Sequence, residues 1–386
     1  MSSSPIIIGI VGAGTMGAGI AQIAATNGHT VYLYDAFTPQ LEKAKQSLQK
    51  ILSRQVEKQR MTREDVDDIL ERIHFEETTT KFGDCGFVIE AVIENLDVKK
   101  DVFTRLEAIV PKTCILATNT SSLSIASISS SLKRPARCIG VHFFNPAPLM
   151  KLVEVIPGIP TSDDTLSAAH TLIKGWGKTT VTAKDTPGFI VNRVARPFYG
   201  EALRILEEGI ADVPTIDWAI KTIGGFRMGP FELMDLIGHD VNYEVTSSVF
   251  EAFYYDPRFK PSFAQKRLVE AGWLGKKSGK GFYDYTDLAT KPEPVQDPAL
   301  GERIVNRILA MLINEAYDAV FMNIGTEEDV DLAMTHGVNY PKGLMKWSKE
   351  IGVSVIYNRL TQLQDEYGED RYRPNPLLRK MALGHV

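Results

Sequence analysis

Along the first half of the chain, short apolar runs alternate with longer stretches whose apolar residues recur every three or four positions. Ile6 to Val11, Thr30 to Tyr34, Gly86 to Ala91, Cys114 to Ala117 and Arg137 to Phe143 have strand length. The run after Met1-Ser-Ser-Ser-Pro5 is continuous rather than alternating, as expected of a strand buried on both faces. Between these runs, Ala18 to Ala24, Gln40 to Lys58, Thr62 to Arg72 and Leu96 to Val110 carry the helical period. Such alternation predicts an α/β unit around a parallel sheet, extending to about residue 184. Met150 to Ile156 reads as a further strand, with Leu152, Glu154 and Ile156 on one face and Val153 and Val155 on the other. Beyond it the pattern is helical, interrupted by the polar stretch Thr286 to Asp297.

The first strand runs directly into Gly12-Ala-Gly14-Thr15-Met16-Gly17, and a helix follows. Each glycine has a physical use there. Gly12 permits the tight turn, Gly14 lets a pyrophosphate approach the backbone, and Gly17 lets helix and strand pack closely. The helix N-terminus then faces the phosphate charge. Asp35 ends the second strand, where a carboxylate accepts hydrogen bonds from ribose hydroxyls. No Lys or Arg follows it before Lys43, which favours NAD over NADP. The turn, including Thr15 and Met16, is therefore expected to bind NAD.

Two later strands end in polar groups, Asn119-Thr120-Ser121-Ser122 and His142-Phe143-Phe144-Asn145. Open α/β sheets bind ligands beyond such strand ends. Glu154 stands in an apolar run, so it needs a partner, and His142 is the natural candidate. A His–carboxylate pair suits a general base acting on an alcohol. On spacing alone, His142 reads equally well as structural, Ser121 as a helix cap, and Asn192 as an interior amide.

The length of 386 residues suggests two or three domains. A formal charge of −5 argues against a nucleic-acid binder, and an anionic ligand must then be met by local groups. No apolar run has membrane-spanning length. The start Met1 to Pro5 and the end Leu383 to Val386 carry no leader or lipidation signal, so the cytoplasm is expected. Cys85, Cys114 and Cys138 are too few and too scattered for a disulfide framework or a Cys-rich metal site, and no metal is expected. Arg54 and Lys58, with Lys50 on the same helical segment, read either as a solvated helix face or as candidates to meet an anionic ligand. Trp273 and the segment Gly275 to Gly281 read as a loop without assigned chemistry.

A repeat occupies the second half. At a fixed offset of 114 residues, Val191-Asn-Arg193 pairs with Val305-Asn-Arg307, Glu201-Ala202 with Glu315-Ala316, Asp217 with Asp331, Gly229 with Gly343, and Ile237-Gly238 with Ile351-Gly352. The expected architecture is thus an α/β Rossmann dinucleotide-binding domain (1–184) followed by two tandem all-α helical domains (185–290 and 297–386). The second copy lacks the Asp185-Thr-Pro-Gly-Phe lead-in, so Asn306 is expected to be structural.

Gly140-Val-His-Phe-Phe-Asn-Pro-Ala-Pro-Leu-Met-Lys-Leu-Val-Glu-Val155 resembles the signature of L-3-hydroxyacyl-CoA dehydrogenases. Thr118 to Ser124, Asp185 to Arg193, Met228 to Leu233 and Ala271 to Tyr285 match the same family in the same order, and the match is most similar to bacterial 3-hydroxybutyryl-CoA dehydrogenases. The resemblance implies NAD-dependent, reversible oxidation of an L-3-hydroxyacyl-CoA, in fatty-acid β-oxidation or short-chain acyl-CoA metabolism. It implies His142 as catalytic base, Glu154 as its partner, and Ser121 and Asn192 at the substrate's oxygens. Glu94, Lys99, Asn119 and Asn145 are implied to line the NAD site. The substrate would lie between the first domain and the helices after Pro187. Single-copy members dimerise through their helical domains, so the second copy implies a pseudo-dimer within one chain: a monomer, or a weak homodimer. A hydratase fusion is not expected, with no room before Met1. The alternatives are a dehydrogenase of a free hydroxy acid, such as a sugar acid or carnitine, or a non-catalytic NAD-binding protein like the eye-lens relatives.

Overall fold

The computed structural model describes residues 6–286 and 292–384. Met1 to Pro5, positions 287–291 of the expected linker and the last two residues lie outside the described residues. The chain divides into two compact units, Met1–Thr186 and Pro187–Val386. Asp185 belongs with the first unit because its carboxylate accepts from Ser124 Oγ and from the N–H groups of Ile125 and Ala126.

The first unit is built on β1 (Ile8–Val11), β2 (Val31–Tyr34), β3 (Ile73–Glu76), β4 (Phe87–Glu90), β5 (Ile115–Thr118), β6 (Cys138–Phe143), β7 (Leu152–Pro157) and β8 (Thr179–Thr182). Their order in the sheet is β3-β2-β1-β4-β5-β6-β7-β8. The chain therefore leaves β1 toward one edge and returns through β4 to build the other. The crevice at that reversal is where ligands bind in such sheets. Around the sheet run α1 (Thr15–Thr26), α2 (Thr38–Glu57), α3 (Arg63–Glu71), α4 (Leu96–Ile109), α5 (Ile125–Ser129) and α6 (Asp163–Gly175). Central β1, β4 and β6 are buried at every position, while β3 and β8 at the edges are partly exposed.

The expected all-parallel sheet needs one correction: β7 runs antiparallel to β6, with His142 paired in register to Glu154. The connection between them is too short for the crossover that a parallel neighbour requires.

The second unit holds α7 (Val191–Val194), α8 (Arg196–Glu207), α9 (Val213–Thr222), α10 (Pro230–Ile237), α11 (His239–Ala252), α12 (Phe263–Glu270), α13 (Pro298–Phe321), α14 (Glu327–Gly337), α15 (Leu344–Ile351), α16 (Val353–Tyr367) and α17 (Pro376–Ala382). Local structure repeats with the sequence offset. Asp217 accepts from the N–H groups of Phe231 and Glu232, and Asp331 accepts from those of Met345 and Lys346. Gly229 and Gly343 let those carboxylates approach: a Cβ at either position would stand 2.2 Å from its aspartate. Gly238 and Gly352 share φ of 100° and 99°. After α16 the connection is shorter and the register slips to 113. Ser262 and Asn375 then cap α12 and α17.

The helices do not form two separate bodies, because two buried ion pairs join them reciprocally. Arg193 Nε donates to Glu315 at 2.6 Å, and Arg307 Nε donates to Glu201 at 2.9 Å. Both glutamates are buried, and α13 packs along α8 and α9. Burial pushes the Glu201 carboxyl up, but Arg204, Arg307 and Arg371 outweigh this and hold it below the usual range. Such a pair is costly to break one-sidedly. We therefore expect Arg307→Met to lower unfolding free energy in urea by about 3 kcal/mol, and the double variant with Glu201→Gln to recover part of that loss. A single variant as stable as wild type would show that the pair contributes nothing.

Candidate functional site

The first unit gathers its polar strand ends around β1, β4, β5 and β6. β1 ends at Val11, and Gly12 turns the chain at φ +104°. A Cβ on Gly12 would stand 2.5 Å from the Ala91 carbonyl oxygen, and one on Gly17 only 1.7 Å from that of Gly12. Those two glycines are fixed by packing. Gly14 differs: a Cβ there would meet nothing within 4 Å. Gly14 also N-caps α1, whose first turn, with Thr15 and Met16, has neither a side-chain cap nor an acid. Open space above uncapped helix N–H groups fits a pyrophosphate. Asp35 follows β2 directly, beside this turn. Its carboxylate is fixed by the N–H groups of Ala13, at 2.7 Å, and Phe37, at 2.9 Å. Cradle, helix terminus and carboxylate together fit a dinucleotide.

Beside the turn lies a group that sequence reasoning missed. Glu90 ends β4 in register with Val11 and is fully buried. Lys99 Nζ donates to it at 2.6 Å, Thr118 Oγ1 at 2.7 Å and the Val92 N–H at 2.7 Å. Its signal was the one that drew attention to Glu154, a carboxylate closing an apolar run. Lys99 is buried with it. Its second neighbour is Glu94, at 3.3 Å.

Glu94 organises the loop after β5. One of its oxygens accepts from Thr120 Oγ1 at 2.5 Å, the Ser121 N–H at 2.9 Å, and the Ser122 N–H and Oγ at 3.1 and 2.9 Å. Burial raises the Glu94 pKa, but Lys99 and these donors outweigh it and keep the group below the carboxylate norm. Ser121 does not cap the helix that follows; Ser124 does, accepting from the Ser127 N–H. The half-buried Ser121 is instead tied into the Glu94 loop.

Asn119 joins this loop to the next strand end: its Oδ1 accepts from the Phe143 N–H at 2.9 Å. Phe143 follows His142, whose Nδ1 lies 2.7 Å from Glu154 Oε2. Both members are buried, His142 at 6% exposure and Glu154 at 0%. The Phe144 ring packs 4.4 Å from the imidazole, centroid to centroid, and Asn145 is exposed on the loop beyond. A second buried pair, His239 with Asp235 at 2.6 Å, serves architecture instead. There Asp235 also accepts from the N–H groups of Phe282 and Tyr283 and from Tyr285 OH. Gly275 and Gly281 let the Gly-rich loop close on Asp235.

Of the remaining candidates, Lys50, Arg54 and Lys58 are exposed along α2 and its C-cap. They form the stripe next to Ser47, Ile51 and Gln55, which line a cavity of about 580 Å³. Asn192 belongs to the second unit, half-buried on α7. Cys85, Cys114 and Cys138 are buried free thiols that burial pushes up to about 12. Among the described residues, no helix is long and apolar enough to cross a membrane.

Comparison with known proteins follows this geometry. Residues 7–186 match the family model "3-hydroxyacyl-CoA dehydrogenase, NAD binding domain". Residues 188–285 and 304–385 both match "3-hydroxyacyl-CoA dehydrogenase, C-terminal domain". The chain is 38% identical to a 3-hydroxyadipyl-CoA dehydrogenase of Escherichia coli (strain K12), over 97% of each chain. A probable 3-hydroxybutyryl-CoA dehydrogenase of Bacillus subtilis (strain 168) is 42% identical, covering 72% of this chain and 96% of its own. The crystal structure of a 3-hydroxybutyryl-CoA dehydrogenase from Escherichia coli K12 is similar with a TM-score of 0.93, at 36% identity and 99% coverage of both chains.

Gly14 offers a direct test of the cradle. Its φ of −67° suits any residue, so Gly14→Val is expected to leave the thermal midpoint unchanged. It should weaken NADH binding in a fluorescence titration by about tenfold or more. Unchanged affinity would place the pyrophosphate elsewhere.

Proposed function

The chain belongs to the 3-hydroxyacyl-CoA dehydrogenase family, and from that premise we propose how its residues oxidise an L-3-hydroxyacyl-CoA to the 3-ketoacyl-CoA, reversibly. The observation that carries this reading is the 2.7 Å His142–Glu154 pair at the end of β6. The carboxylate orients the ring through Nδ1 and stabilises the imidazolium, which assigns proton acceptance to Nε2. His142 takes the substrate's hydroxyl proton, and in reverse the imidazolium returns it. NAD, when bound, supplies the acceptor for the hydride leaving C3.

Ser121 positions a substrate oxygen, and Asn192 is assigned the same task on resemblance alone; positioning of this kind supplies much of the rate in such transfers. Glu94 fixes the loop carrying Ser121 and borders the cofactor, while Lys99 acts through Glu94 and Glu90 as a positioning residue. Gly12, Gly14, Thr15, Met16, Gly17 and Asp35 hold the dinucleotide, with Asn119 and Asn145 at its nicotinamide end. Arg54 and Lys58, with Lys50 beside them, meet the phosphates of CoA. Three buried reduced thiols agree with a cytoplasmic setting.

The test follows NADH consumption with acetoacetyl-CoA, longer 3-ketoacyl-CoA thioesters and free acetoacetate. His142→Gln is expected to lower kcat by about 10³-fold. Glu154→Gln should lower it by at least about tenfold, with KM little changed. Faster turnover of the free acid than of thioesters would overturn the substrate class. Retention of activity in His142→Gln would overturn the base.

We further propose that 185–290 and 297–386 are two copies of one helical domain, forming within one chain the interface that single-copy relatives form between subunits. The reciprocal Arg193–Glu315 and Arg307–Glu201 pairs have the form of a two-fold contact. The Bacillus relative also matches almost completely to only 72% of this chain. Analytical ultracentrifugation is expected to give the mass of one chain at micromolar concentration, whereas a tight dimer would sink this reading.

A further inference from the structure

The helical unit contains a cavity of about 340 Å³ for which the proposed dehydrogenase reaction has no use. Its walls come from both copies. Ile205 lies on α8, Ile304 on α13 and Leu363 on α16, giving the space an apolar lining. Arg303 and Arg359 also line it, and among the described residues neither has a carboxylate within ion-pair distance. Arg307 borders the cavity too, but its N–H groups are occupied by Glu201, Glu208, Tyr367 and Tyr372. The one acid in the lining is Glu366, exposed to solvent.

Arg359 is the anomaly. Its Nη1 is buried with no hydrogen-bond partner, and burial, with no opposing charge, pulls its pKa down. A desolvated guanidinium donor left unpaired is costly, and a buried group of this kind calls for an explanation. A planar guanidinium is matched best by a carboxylate, which accepts two parallel N–H bonds. The walls beside it suit an aliphatic chain, and the volume falls within the range of small-ligand sites.

The place of the cavity in the repeat is informative. Asn306 lines it and stands 114 residues after Asn192, the residue assigned to the substrate. At the same offset, Arg303 and Arg359 replace Phe189 and Val245. The second copy thus carries cations where the first carries apolar side chains.

We propose that this cavity is a second ligand site, binding a medium-chain aliphatic carboxylate with its head on Arg359 and Arg303 and its chain among Ile205, Ile304 and Leu363. Asn306 is then a lining residue rather than a purely structural one. The site is separate from the chemistry of His142 and stands whether or not the dehydrogenase reading holds.

Isothermal titration of the full chain with octanoate tests it. Saturable binding is expected in the wild type, weakened by about tenfold or more in Arg359→Leu and partly restored in Arg359→Lys. Arg303→Gln, at an exposed position, should weaken binding in the same direction. NADH-dependent turnover of acetoacetyl-CoA in all three variants should match wild type, which separates this site from the active one. Absence of saturable binding in the wild type would overturn the proposal. So would equal affinity in Arg359→Leu, or equally tight binding of uncharged 1-octanol.

Discussion

Glu90 has no access to water, yet it ends a central strand at the point where the sheet reverses direction. Leaving such a carboxylate unpaired in the interior is prohibitively costly, so the chain around it must bring donors to a fixed place. Lys99 comes from α4, Thr118 from β5 and the Val92 N–H from the chain just beyond β4. Satisfying one carboxylate therefore fixes three segments at once. The Ala91 carbonyl beside it is also what makes Gly12 obligatory, since a Cβ there would strike it. The nucleotide turn and the Ser121 loop are thus registered against the same buried charge. Lys99 passes the constraint on to Glu94, which gathers Thr120, Ser121 and Ser122.

The His142–Glu154 pair depends on a different constraint, the reversal of β7. Twelve residues separate the two in sequence, and only an antiparallel return places them opposite each other. Asn119 then ties this hairpin to the Glu94 loop. His239 and Asp235 show that a buried His–carboxylate pair is not by itself a site. Their geometry is equally close, but Asp235 is saturated by backbone and tyrosine donors and lies under a glycine-rich loop. The His142–Glu154 pair differs in its address, at a strand end of the sheet that carries the glycine turn.

What the sequence made legible follows from where burial is two-sided. β1, β4, β5 and β6 are almost entirely buried and mostly apolar, so their runs stood out. β3 (Ile-His-Phe-Glu) and β8 (Thr-Thr-Val-Thr) lie at the edges with polar positions, and no apolar run marked them. The strand direction of β7 was invisible because parallel and antiparallel neighbours share one alternation. Asp35, His142 and Glu154 were readable as polar groups ending or interrupting apolar runs. Glu90 carried the same mark and was passed over, since its partner Lys99 reads from sequence as an ordinary charge at a helix start. The glycines at 229 and 343 were visible as a repeat, but their use became visible only when the aspartates filled the space against them.

Under the proposed duplication, each residue of the helical domain serves one place in the molecule rather than two. In a two-fold contact between identical copies, any arginine must serve both halves at once. Within one chain that coupling is released: Arg193 and Arg307 can keep the reciprocal pairs while their neighbours diverge. The two halves have done so around the interface. Glu315 receives Arg193 and Arg258, whereas Glu201 receives Arg204, Arg307 and Tyr372. Arg303 and Arg359 stand 114 residues after Phe189 and Val245, and the register is shorter by one after α16. The interactions held constant are those whose one-sided loss strands a buried charge. Arg303 and Arg359, where the copies differ in charge, line a cavity instead, and among the described residues no buried carboxylate depends on them.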